Sequence, residues 1–230
     1  GGPPTVIAES FNIALFLDHE YPDTPRVIPP NTAALQASFV QTLRSTLISS
    51  LGPLLVSQIP SKLDPGGASY FVRTRKESWA VQNLEDIAPY GSEKRREFEK
   101  KLHASFRTLY ALLSSNGGMR EQDIFSPPTS PIISSGSGFP FNSPGVSVDV
   151  GGGVKLGRTG ETHWVMGPIG PTFADFALGG ILYWIQSVEN PAEDGEGKRG
   201  TGELWSKIKT WNGGRWAKLM DSLAPWQFSE

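Results

Sequence analysis

Leu35, Phe39, Leu43, Leu47 and Leu51 recur at every fourth position. An α-helix turns once in about 3.6 residues, so side chains at this spacing stack along one face. A stripe of that length demands another apolar face against it. Later stretches supply such faces. Residues 70–87 predict a helix with Phe71, Trp79 and Leu84 inward. A helix from about Ser92 aligns Phe98, Leu102, Phe106, Leu109 and Leu113, with Asn116-Gly117-Gly118 as its stop. From Thr172 onward, Phe173, Phe176, Ala177, Ile181, Trp184 and Val188 share a face. Two shorter helices close the chain, around 203–211 and 215–223, packed by Trp205, Trp211 and Trp216. Gly52-Pro53 predicts a kink in the first long helix, which then continues or restarts over 54–59. The expected fold is mainly α.

The remaining segments are of other kinds. Val6 and Ile7 read as a short buried strand. Ser10 offers an N-cap to a helix carrying Ile13 and Leu17, which stops before Tyr21-Pro22. Pro22, Pro25, Pro29 and Pro30 mark an extended linker. Residues 126–160 are rich in Ser, Gly and Pro and form an insertion. Within it, alternating Val146, Val148 and Val150, three glycines, then Val154 and Leu156 predict a small hairpin on a surface loop without chemistry. An acidic, glycine-rich turn covers 190–202.

Composition excludes several classes. The 230 residues allow one large domain, or one domain and a remnant. A net charge of -2 lacks the basic footprint of a nucleic-acid binder. The absence of cysteine rules out disulfides, thiolate metal sites and a cysteine nucleophile, and matches a reducing compartment. No apolar run is long enough to span a bilayer, and the Gly-Gly-Pro-Pro start does not read as a signal peptide. A soluble, cytoplasmic protein is expected, with no membrane or nucleic-acid partner.

Two pairs of residues could carry a site. The first is Glu9-Ser10 at the start of a helix. A helix N-terminus presents unpaired N–H groups and partial positive charge, which attract a carboxylate. Ser10 could donate to that same anion, and Glu9 could pair with an ammonium, so together they suit an α-amino acid head. On these two residues alone the simpler reading is favoured: Ser10 merely caps the helix and Glu9 is a solvated acid. The second pair is Thr172 and Asp175, the spacing of a capping box. The Thr172 hydroxyl is expected to bond the Asp175 N–H, and the Asp175 carboxylate to return to the Thr172 N–H, with Ile169 stapling onto the helix. Its role is structural. His19, His103 and His163 show no ligand spacing, and no metal site is expected. The glycines of 151–157 lack a Walker lysine, and no G-x-S-x-G motif occurs. Arg73, Arg75 and Glu77 read as a solvated helix face.

In this order and separation, the two motifs resemble those of the glutathione transferases. "ESFNIALFLDHEYPDTPRVIPP" is similar to the end of that family's thioredoxin-like first domain and the linker beyond it. "GPTFADFALGGILYW" resembles the capping-box helix at the core of its all-α second domain. "RTRKESWAVQNLEDIAPYG" and "WSKIKTWNGGRW" resemble the etherase-related class common in wood-decay fungi. The resemblance covers most of the chain apart from 126–160.

The resemblance implies a division into 1–22, a remnant of the glutathione-binding domain; 23–30, a linker; and 31–230, the all-α domain. It implies glutathione as substrate, with Ser10 holding the γ-glutamyl carboxylate and Glu9 serving its amino group. The glutathione thiolate would attack a hydrophobic aromatic electrophile, or an ether carbon in etherase-like members. The acceptor pocket would involve Leu35, Phe39 and Leu43. No thiol-activating residue is expected within this chain; its place in the family lies upstream of Val6. The chain therefore reads as a truncated form that binds glutathione poorly alone. A homodimer is the family's habit. Two other functions stay in view: a non-catalytic carrier of hydrophobic compounds, and an interaction scaffold.

Overall fold

Among the described residues the first element is a helix, not a strand. In the computed structural model, which describes residues 5–114, 164–167, 170–189 and 202–227, helix α1 covers Ser10–Glu20. Val6 and Ile7, expected as a buried strand, are not one. Val6 is 90% exposed and the segment before Ser10 is irregular. A strand needs a neighbour to take its N–H and C=O groups, and none of the described residues provides one. Ser10 is the first residue of α1 rather than its cap; Glu9 takes the cap position.

The leucine stripe folds as two helices. α2 (Ala33–Leu43) passes through a wide π turn at Arg44–Ile48 into α3 (Ser49–Leu55). The irregularity thus precedes Gly52-Pro53, where the sequence predicted a kink. Pro53 cannot donate to the Ser49 C=O, and it lies buried inside α3, one turn past the π segment. Phe39, Leu43, Leu47 and Leu51 lie in the core, but Leu35 does not: it is 64% exposed. The buried line of α2 runs through Gln36, Phe39 and Leu43, which turns Leu35 outward.

Residues 70–87 do not make one helix. α4 (Pro65–Trp79) begins earlier, because Asp64 accepts the N–H groups of Gly66 and Gly67 at 3.0 Å each and Pro65 starts the first turn. It ends at Ala80, which is left-handed with φ 51. A separate 3-10 turn, Leu84–Ile87, follows, with Asn83 and Asp86 as its capping box. Trp79, expected inward, is exposed, whereas Phe71 packs on Val56, Leu84 and Ile87 in a small second core. α5 (Glu93–Ser114) starts where the Ser92 Oγ accepts the Arg95 N–H at 3.1 Å. It buries Leu102, Phe106, Leu109 and Leu113.

α6 (Phe173–Glu189) is the central element, packed by α2 and α3 and by α7 (Glu203–Ile208) and α8 (Trp211–Leu223). Its deepest apolar residues are Ala174, Leu178, Leu182, Ile185 and Val188. Most of the face read from the sequence, Phe173, Phe176, Ala177, Ile181 and Trp184, is only half-buried. A helix with neighbours on several sides is apolar nearly all round, so periodicity alone does not select its innermost line. α8 holds a left-handed interruption at Asn212, Gly213 and Gly214, and its regular part follows from Arg215. Trp216 is fully buried and donates from Nε1 to Asn212 Oδ1 at 3.0 Å. The Phe106 ring meets those of Trp216 and Trp211 at 5.0 and 5.6 Å. Each buried Leu or Ile in this core contributes about 1.5–3 kcal/mol. The 126–160 insertion, the Asn116-Gly117-Gly118 stop, Ile169 and most of the acidic turn lie outside the described residues.

Candidate functional site at the amino end of the first helix

The first hydrogen bond of α1 runs from the Ile13 N–H to the Glu9 C=O at 2.9 Å. The N–H groups of Ser10, Phe11 and Asn12 therefore have no partner within the helix. Among the described residues no side chain caps them: Glu9 makes no capping bond, and both Glu9 and Ser10 are exposed. Glu9 has φ 72 and ψ 124, a region that a residue with a Cβ rarely occupies. The strain turns the chain sharply into α1. The result is an acid, a hydroxyl and several backbone donors at one exposed helix end.

That end is mounted on the helical body. The Phe11 ring stands edge-on to the Phe173 ring, with centroids 5.2 Å apart. Farther along α1, the buried Asp18 carboxylate accepts the N–H of Val27 at 3.1 Å and of Ile28 at 2.7 Å. Between them Ala14 is also buried. The outward side of α1 remains apolar and exposed: Ile13, Leu15, Phe16, Leu17 and Tyr21 all face out. An open groove of about 450 Å³ runs here, lined by Ser10, Ile13, Leu17, Asp18, Tyr21 and Val27.

Asp175 stands at the amino end of α6. Its Oδ2 accepts the Thr172 N–H and the Thr172 hydroxyl, each at 2.8 Å, and its Oδ1 accepts the Val165 N–H at 2.6 Å. The Thr172 hydroxyl donates to the carboxylate instead of accepting from the Asp175 N–H, which bonds the Thr172 C=O at 3.0 Å. Burial pushes the Asp175 carboxyl above its ordinary value, against the pull of the Thr172 and Val165 donors. The site is sealed and structural. Val165, drawn to it from across the undescribed residues, had no signal in the sequence.

Glu189 and Arg95 were not singled out from the sequence. Glu189, buried at the end of α6, accepts the N–H groups of Leu204 and Trp205 at 3.1 and 2.6 Å and so caps α7. Burial raises its pKa as well, opposed by those two donors and by Arg95. Arg95 is buried beneath the Tyr90 ring, 4.1 Å from its centroid, and donates to the Leu54 C=O at 3.3 Å. The three proposed acceptor residues do not line one open surface. Phe39 and Leu43 are buried in the core, and Leu35 is exposed. Among the described residues no group of three or more His, Asp or Glu could hold a metal ion. No described helix is long and apolar enough to cross a membrane.

The family model for the glutathione S-transferase C-terminal domain matches residues 34–126 and 151–226. The chain belongs to this family. The transferase domain so matched holds α2 to α8 and the core described above, while α1 and the linker precede it. A glutathione S-transferase of Ceriporiopsis subvermispora, solved in complex with glutathione, is 27% identical with a TM-score of 0.68. The match covers 95% of this chain and 66% of that one, so this chain spans just under two thirds of that relative's length. A second glutathione S-transferase of the same fungus, also with glutathione, is 25% identical at TM-score 0.66, covering 96% of this chain and 67% of that one. A glutathione transferase from Phanerochaete chrysosporium, 24% identical with TM-score 0.68, covers 98% of this chain and 68% of its own. At that identity it supports the fold alone. Comparison with curated proteins finds no match.

Proposed function

We propose that the protein is a glutathione transferase of the etherase-like class, and that the amino end of α1 holds the γ-glutamyl end of glutathione. The observation that carries this reading is the uncapped start of α1. Glu9 and Ser10 stand exposed beside unpaired backbone donors, on a helix pinned to a transferase-type domain. A zwitterion matches that end: its carboxylate takes the N–H groups and the Ser10 hydroxyl, and its ammonium takes Glu9. A merely capping serine would have its oxygen on the helix's own N–H groups, which is not the arrangement here. Crystals of two relatives contain glutathione, which favours the same ligand.

The groove along α1 starts at Ser10 and is apolar beyond it. Its wall is Ile13, Leu17 and Tyr21, which suits packing against an apolar sheet or helix rather than a charged tripeptide. In this reading the thiol-activating group belongs to a thioredoxin-like unit seated on that wall, and the 230-residue chain alone binds glutathione weakly. The acceptor, a hydrophobic aromatic electrophile or aryl ether, lies on the side of α2 where Leu35 is exposed, with Phe39 and Leu43 backing it from the core. The dimer habit of the family is part of the same proposal.

Titration calorimetry with glutathione, on protein expressed from its complete coding sequence, tests the clamp. Glu9→Ala and Ser10→Ala should each weaken binding about tenfold, the loss of one charge-assisted hydrogen bond. Unchanged affinity in both would return the pair to a structural role. Binding without turnover of any aryl electrophile would favour a carrier over an enzyme.

A further inference from the structure

Asp18 lies two turns along α1 from Phe11, on the same inward face as Ala14. Its two oxygens divide between the N–H groups of Val27 and Ile28. Val27 is itself a junction. Its C=O accepts the Phe173 N–H at 2.7 Å and lies 3.4 Å from Gln36 Nε2. Phe173 is the residue whose ring meets Phe11. The two attachment points of α1 thus refer to one residue at the start of α6. The ring contact fixes the amino end; the carboxylate, through Val27, fixes the rest. Two separated attachments define the direction of a rod, whereas one leaves it free to pivot.

We propose that Asp18 is a positioning residue for the glutathione clamp: by fastening α1 to Val27 and Ile28, it sets the direction in which Glu9 and Ser10 face the acceptor side. This inference rests on the clamp reading above. Without the carboxylate, α1 keeps its edge contact at Phe11 and pivots there. Glutathione and acceptor would then meet at a changed distance, and small misplacements between reacting groups are costly in rate.

The test compares Asp18→Asn and Asp18→Glu in protein from the complete coding sequence, with glutathione and 1-chloro-2,4-dinitrobenzene as probes, well below the unfolding temperature. Asn presents an NH2 to one of the two N–H groups; Glu keeps a carboxylate able to accept both. Asp18→Asn should raise KM for both probes, or lower kcat, by about tenfold in kcat/KM, and Asp18→Glu should recover most of it. A lowered unfolding temperature with kcat/KM unchanged, or no recovery in Asp18→Glu, would overturn the inference. Ser10→Ala in the same assay separates the two proposals. If it weakens glutathione binding while Asp18→Asn does nothing, the positioning role alone falls. If Ser10→Ala and Glu9→Ala both leave glutathione binding unchanged, the clamp falls and this inference with it.

Discussion

Gln36 and Ala174 are 138 positions apart in the chain, yet Gln36 Oε1 accepts the Ala174 N–H at 3.0 Å. The same fully buried amide donates from Nε2 to Thr32 Oγ1 at 2.9 Å. One side chain therefore satisfies an otherwise orphaned donor at the start of α6 and, through Nε2 at 3.4 Å from the Val27 C=O, ties α2 to the linker. Gln36→Leu keeps the approximate volume and removes the acceptor, leaving the buried Ala174 N–H unpaired. Stability in urea should fall by about 1–3 kcal/mol. A loss within error of zero would mean water or another group reaches that N–H.

Asp175 serves three donors at once. Asp175→Ala should cost about 3 kcal/mol or more, since buried donors are left with no acceptor. Asp175→Asn should cost less, because one oxygen remains. Equal losses would show that volume, and not hydrogen bonding, is what the position supplies.

The pH dependence has a definite sign. Burial raises Asp175 above its ordinary 3.8 and Glu189 above its ordinary 4.5. A carboxyl with a higher pKa folded than unfolded binds its proton more tightly in the native state. Its contribution should therefore increase as pH falls through the folded value and level off below the unfolded one. Asp64 has the opposite sign: the Gly67 and Gly66 N–H groups hold its pKa below 3.8, so its cap is lost as pH falls through that lower value. Urea midpoints should climb from neutrality into the range just above 4.5, then drop in stronger acid. In Asp175→Asn/Glu189→Gln the climb should flatten; a climb of undiminished slope would assign it to other groups.

α6 and α8 approach closely at Gly179. A Cβ there would overlap Leu223 Cδ1. Gly179→Ala should destabilise by about 1–3 kcal/mol through overpacking, despite alanine's better helix propensity. In a Leu223→Ala background the same change should become neutral or favourable by up to about 1 kcal/mol. A double-mutant cycle with no coupling would mean that the leucine moves aside freely.

Glu9 joins strain to function. Glu9→Gly relieves φ 72 at no steric cost, so stability should hold or rise by about 1 kcal/mol while glutathione binding weakens. Glu9→Ala should weaken binding without that gain. Thermal unfolding read beside calorimetry checks both, and a destabilised Glu9→Gly would argue against strain at this residue.

Much of the helical content was legible as spacing. The α5 stripe from Leu102 to Leu113 and the close of α1 before Tyr21-Pro22 both follow from contacts within a few residues. Asp64-Pro65 carries a sequence signal for the start of α4, a cap and a first-turn proline, which the reading over 70–87 does not use. The Glu9-Ser10 pair was visible as chemistry, and the positive φ that turns Glu9 into the helix was not. The strand read at Val6 failed for a general reason: a strand is a relation between segments, and alternation or apolarity cannot create the missing partner.

What the chain's order of residues determined alone is local: where helices run, which caps begin them, and that several apolar faces must meet. Hydrogen bonds four residues apart and side chains one turn apart suffice for that. The tertiary structure decided which line of α6 lies deepest, that Leu35 stays outside, and that Asp18, Val27, Phe173 and Gln36 converge on one junction. Those outcomes depend on how distant helices share volume and satisfy one another's buried donors, and no short window of sequence contains both halves of such a contact.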